Sequence, residues 1–139
     1  MKRMTPEQAI MYLGIQHDGG LSPCPGTLTA VCSYFPKDSI HYLKPISFDG
    51  PLESVRERLI AIMQSLVGAA LAPGSSPEYY MRFTVQHWLL EIIDDVEFLI
   101  DEESHLIHFR SAARQGLWDM GRNARRMKRI KSLFRSIQA

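Results

Sequence analysis

Three short runs of this 139-residue chain hold its densest chemistry. Asp94, Asp95 and Glu97 stand almost side by side, Arg110, Ser111 and Arg114 follow, and Asp119, Asn123 and Arg126 complete the series. Neighbouring carboxylates can act as general acid and base, and together with His108 they offer ligands to a hard cation. Arginines set against them can clamp an anionic substrate. Strand alternation works against the metal: Asp94 points to one face and Asp95 with Glu97 to the other, and Arg110 with Arg114 neutralises that second pair. Neither a metal site nor a cofactor is expected. His17, His41, His87 and His105 fall in expected loops or strand edges and form no paired ligand motif on a helix. Ser111 lacks the context of an activated nucleophile. Cys24 and Cys32 have no zinc-type spacing and no base nearby in sequence; with no visible export signal they read as thiols.

Asp94 is the residue that demands an explanation. It shares a face with Val96 and Phe98, and burying an unpaired carboxylate is strongly unfavourable. Either a bulge at Asp94 and Asp95 turns it outward, or it meets a partner such as the Asn123 amide or a helix N-terminus. A structural brace between sheet and last helix is the expected role, ahead of catalysis.

These residues need a sheet to hold them. Met81, Phe83 and Val85 alternate with Arg82 and Thr84, the even positions Val96, Phe98 and Ile100 are apolar, and Ile107 with Phe109 reverses the parity. Facing residues point the same way, so a four-residue loop over 102–105 sets Ile100 opposite Ile107, Phe98 opposite Phe109 and Glu97 opposite Arg110. Asp95 then lies diagonally between Arg110 and Arg114. Cross-strand ion pairs of this kind contribute about 0.2–1 kcal/mol each, so Arg110→Ala reads as modestly destabilising.

The remaining elements are simpler. A short helix is expected over 6–13 and a Pro/Gly-rich covering loop over 17–39. A first strand follows over 40–48, held to an edge by Pro45. Leu52, Val55, Leu59, Ile62 and Leu66 recur at helical spacing behind Asp49-Gly50-Pro51. A short strand is expected over 67–72. Asp119 caps a last helix whose apolar stripe is Met120, Met127, Ile130, Phe134 and Ile137. Trp88 and Trp118 read as loop anchors.

Charge is divided along the chain although the formal total is +1. Residues 115–139 carry seven basic groups against one acid, a net +6, leaving nine against fourteen, a net −5, for residues 1–114. Such a dipole can steer an anionic partner without a global field that requires nucleic acid. With 45% hydrophobic and 22% charged residues, neither disorder nor a fibrous repeat fits. No apolar run reaches the roughly 18 residues of a spanning helix. A cytoplasmic location is expected.

The runs Asp94-Asp95-Val96-Glu97-Phe98, Arg110-Ser111-Ala112-Ala113-Arg114 and Asp119-Met120-Gly121-Arg122-Asn123 resemble the proteins catalogued as domain of unknown function 1499. The likeness extends from about Leu21 to the C-terminus and includes a Cys-Pro and a Cys-Ser. This chain has Ala113 where that pattern has a second Ser, Ala124 where it has Arg, and Val31 where it has Asn before the second Cys. The resemblance implies a fold and no reaction.

Taken together, the order of elements predicts an α+β two-layer sandwich. Its antiparallel sheet has four to five strands with two helices on one face, a β-α-β4-α arrangement of the TATA-binding-protein type by fold-level analogy. Residues 1–38 form the covering segment and 39–139 the core. The expected function is a non-catalytic binding or accessory module that engages a protein or small anionic ligand through an open sheet face or the basic last helix. The alternative is a small hydrolase-like enzyme using Asp94, Asp95 or Glu97 with Arg110 and Arg114, which requires a concave pocket where Asp94, Arg110 and Arg114 converge.

Overall fold

The computed structural model describes residues 13–24, 29–34, 40–75, 77–114 and 119–137. The helix expected over 6–13, apart from Leu13, lies outside these residues, as do Trp118 and the side chain of Ile137. Strands β1 (Ala30–Cys32), β2 (Ile46–Ser47), β3 (Ala69–Leu71), β4 (Tyr80–Gln86), β5 (Ile93–Asp101) and β6 (Leu106–Ala113) form one antiparallel sheet. Its order is β1-β6-β5-β4-β3, with β2 also on β6. Helix α1 (Leu52–Gln64) precedes β3, and α2 (Arg122–Ile137) ends the described chain. From β2 onward the elements follow the expected β-α-β4-α order.

Parity sets the register as expected: Ile100 faces Ile107, Phe98 faces Phe109 and Glu97 faces Arg110. The odd positions of β4 and the even positions of β5 therefore share a face with Ile107 and Phe109. Against that face pack Val55, Leu59, Ile62 and Met63 of α1 and Met127, Ile130 and Phe134 of α2, closing the core. His105 completes the β5–β6 turn with a left-handed φ of 58°.

Several expectations need correction. The strand expected over 40–48 shrinks to Ile46–Ser47, because Pro45 has no N–H to donate and the described residues just before it pair with the sheet through an isolated bridge from Tyr42 to Cys32. The loop over 17–39 does more than cover: Ala30–Cys32 pairs with Arg110–Ala112 of β6, and Val31 enters the core. Three residues are too few for alternation to register. Met120 is not part of the apolar stripe; it is 67% exposed at a left-handed φ ahead of α2. Trp88 does not anchor its loop among the described residues, standing 77% exposed with its ring on His87.

The second sheet face is covered at its centre, with a cavity of about 370 Å³ left beside Leu99, Asp101 and His108. Leu21 and Ile15 pack on Tyr80 and Leu99, which are 2% and 6% exposed. The Gly14 N–H donates to both Glu97 Oε2 (2.8 Å) and the Tyr80 hydroxyl (3.1 Å). A Gly-rich loop with few apolar residues gave no periodic signal of this covering role.

One glycine is irreplaceable. Gly68 enters β3 at φ +82°, and a Cβ there would meet the Gln86 carbonyl oxygen at 2.1 Å. Gly68→Ala combines backbone strain with that clash and is expected to cost more than about 2 kcal/mol. An unchanged urea midpoint would contradict the β3–β4 geometry.

Candidate functional site

The candidate residues separate into two networks on opposite sheet faces. Even positions of β5 look toward the helices, so Asp94 is placed beneath the start of α2 at 1% exposure. No bulge turns it out; Asp94 opposes Ala113 and Asp95 opposes Ala112 in unbroken register. Its partner is neither the Asn123 amide nor a helix N-terminus. Arg122 closes a two-pronged fork on it (Nε to Oδ2 2.8 Å, Nη2 to Oδ1 2.7 Å), and Arg126 Nη2 donates to Oδ2 at 2.7 Å. The Asp94 contact raises the Arg122 pKa further despite its partial burial.

The same guanidinium of Arg126 extends the network. Its Nη1 donates to Asn123 Oδ1 at 2.7 Å and to the Ser111 hydroxyl at 3.3 Å. Ser111 in turn donates to Asn123 Oδ1 at 2.6 Å. The Asn123 amide donates to Asp119 Oδ2 (2.8 Å) and to the Thr29 carbonyl (3.0 Å), tying α2 to β1. Asp119 caps the helix, accepting from the Gly121 and Asn123 N–H groups. Burial works to raise its carboxyl, but the Asn123 and Gly121 hydrogen bonds and the Arg122 charge outweigh it and hold the pKa below the usual range.

Odd positions of β5 carry the second network. Asp95 accepts a fork from Arg114 (2.7 and 2.8 Å) and lies 3.8 Å from Arg82. Glu97, with no exposure, accepts from the Tyr80 hydroxyl at 2.5 Å and faces Arg110 at 3.5 Å. Burial pushes the Glu97 carboxyl upward, against the opposing pull of Tyr80, Gly14 and Arg110. Burial and the Glu97 charge together raise the Tyr80 hydroxyl. Arg110 Nε is the buried side-chain nitrogen left without a hydrogen-bond partner among the described residues. Cys24 and Cys32 lie together beside this network as buried thiols, and contact with Cys32 plus burial raises the Cys24 pKa.

The pocket required by the hydrolase alternative is not formed: Asp94 lies on one face, Arg110 and Arg114 on the other. His108 is also apart, its Nδ1 3.1 Å from the Ser33 hydroxyl and its ring stacked on Tyr34, with burial lowering its pKa. Among the described residues no group of three His, Cys, Asp or Glu side chains is placed to hold a metal ion. No described helix is long and apolar enough to cross a membrane.

Sequence reasoning missed Arg122, Arg82, Gly14 and the hydroxyl role of Tyr80. Arg122 was legible in principle, since it precedes Arg126 by one helical turn and must share its face. Gly14 carried no signal, because its contribution is a backbone N–H brought from a distant loop.

A family model described as "Protein of unknown function (DUF1499)" matches residues 20–134. The chain belongs to that family. No curated protein and no solved structure matches it. In this DUF1499 protein the motif runs quoted from the sequence meet in space. Asp94, Ser111, Asp119, Arg122 and Asn123 share the helix-side network, and Asp95, Glu97, Arg110 and Arg114 share the other. Ala124 lines a cavity of about 170 Å³ beside Asp119, His41 and Ile40.

Proposed function

We propose that this DUF1499 protein is a non-catalytic binding module that engages an anionic ligand or partner through the exposed basic face of α2. The supporting observation is how its cations divide. Arg122 and Arg126 turn inward to Asp94, and Arg82, Arg110 and Arg114 hold Asp95 and Glu97. Lys128, Arg129, Lys131 and Arg135 enter none of the ion pairs among the described residues, and all but half-buried Lys131 are exposed. Residues 13–24 cover the centre of the second sheet face, whereas the cations of α2 stand exposed along its length, which favours α2 of the two expected binding surfaces.

Unpartnered surface cations attract polyanions in a salt-dependent way. The protein is expected to be retained on a heparin column at low salt and released as salt rises, and Lys128→Glu combined with Arg129→Glu to elute at clearly lower salt. Wild-type protein in the flow-through at low ionic strength would overturn the reading.

A further inference from the structure

We propose that the groove between β2 and the C-terminal half of α2 is a binding site for the phosphate group of a small soluble ligand, held by Lys44, Lys131 and Arg135. This rests on the proposed anion-binding role of α2 and assigns its ligand class and position. The groove measures about 410 Å³, within the range of small-ligand pockets, and Pro45, Ile46 and Ser47 complete its lining. Three of its six lining side chains are cations and none is an acid.

None of the described ion pairs accounts for that arrangement. Elsewhere each clustered arginine of the described ion pairs faces a carboxylate. Here Lys131 and Arg135 stand four apart on one helix face, a like-charge spacing that weakens a helix by about 0.2–0.5 kcal/mol. Lys44 adds a third charge from the opposite wall. The Lys131 ammonium is held in place by donating to the Lys44 carbonyl at 2.7 Å. Burial first, then the Arg135 and Lys44 charges, lower its pKa, as expected of cations lacking a counter-ion.

A phosphate dianion supplies that counter-charge. Arg135 offers a planar fork matched to two phosphate oxygens, Lys131 a fixed point charge, and Ser47 a hydroxyl. The groove favours a soluble ligand over a membrane headgroup. Ile46 is 3% exposed, and among the described residues the exposed large apolar side chains include none from the groove wall, so nothing there could enter a bilayer.

The test is a titration of the full chain with inorganic pyrophosphate at fixed ionic strength, read by the Lys131 side-chain NMR resonance and by melting temperature. Pyrophosphate is expected to shift the Lys131 resonance and to raise the melting temperature in a saturable way. Lys131→Met, which keeps the stem, should weaken binding at least tenfold, and so should the exposed, fold-neutral Arg135→Gln. Ser132→Ala, exposed on the same helix, should retain it. The absence of a Lys131 shift, or equal affinity in the Arg135→Gln variant, would overturn the assignment. Heparin retention without pyrophosphate binding removes this site and leaves the broader reading of α2 standing; loss of both removes both. Binding to phosphatidylserine vesicles but not to pyrophosphate would refute the soluble ligand.

Discussion

Asp94→Ala is expected to lower the unfolding free energy by about 3–5 kcal/mol, the loss typical of removing one member of a buried charge set. The carboxylate is 1% exposed and receives three arginine hydrogen bonds of 2.7–2.8 Å. Without it, two guanidiniums face each other over an apolar sheet. Their side chains retain 23% and 11% exposure, so water reaches Arg122 more readily than Arg126. Arg126 also anchors Asn123 and Ser111, and through Asn123 the α2–β1 tie, so the loss should spread beyond one ion pair. Asp94→Asn keeps the shape and part of the hydrogen bonding and should cost less. Urea unfolding checks this: the midpoint should fall at constant slope, and Arg126→Met added to Asp94→Ala should recover part of the loss. A change below 1 kcal/mol for Asp94→Ala would show that Asp94 does not brace the helix to the sheet.

What could be read from the sequence follows from the range of each interaction. Alternation and loop length determine the β5–β6 register because every residue of both strands contributes to the same choice. The α1 stripe is legible for the same reason, with Leu52, Val55, Leu59 and Ile62 repeating one period. The position of Asp94 was legible as a problem but not as a solution. Parity placed it inside, whereas its partner depends on how α2 crosses the sheet, which no local pattern encodes. Residues 13–24 and β1 were illegible because their contributions are single contacts: Gly14 through its N–H, Leu21 through one apolar patch, Val31 through one core position. The groove at Lys44, Lys131 and Arg135 required knowing that α2 runs beside β2, although Lys131 and Arg135 were plain as part of the basic run.

The covering of the second sheet face also changes the expected cost of losing Arg110. On a solvated ladder Arg110→Ala removes one surface pair, and the loss stays below about 1 kcal/mol. Glu97 is instead fully buried, so Arg110→Met should cost about 3 kcal/mol at pH 8. Repulsion from Asp95 is the smaller part, because Arg114 and Arg82 still hold that carboxylate. The loss should also depend on pH with a definite sign. Burial raises the folded-state pKa of Glu97 above its ordinary 4.5, so the folded protein binds this proton more tightly than the unfolded chain. Its ionisation therefore costs nothing below the unfolded value, and the penalty sets in as pH rises toward and through the folded one. Removing the Arg110 charge raises that folded value again and deepens the penalty at high pH. Arg110→Met should thus be close to wild type at pH 4.5 and fall away steadily toward pH 8. Glu97→Gln in the same background should flatten the profile and restore most of the stability. A loss equal at both pH values would mean that Arg110 acts by packing and that its charge does not lower the Glu97 pKa.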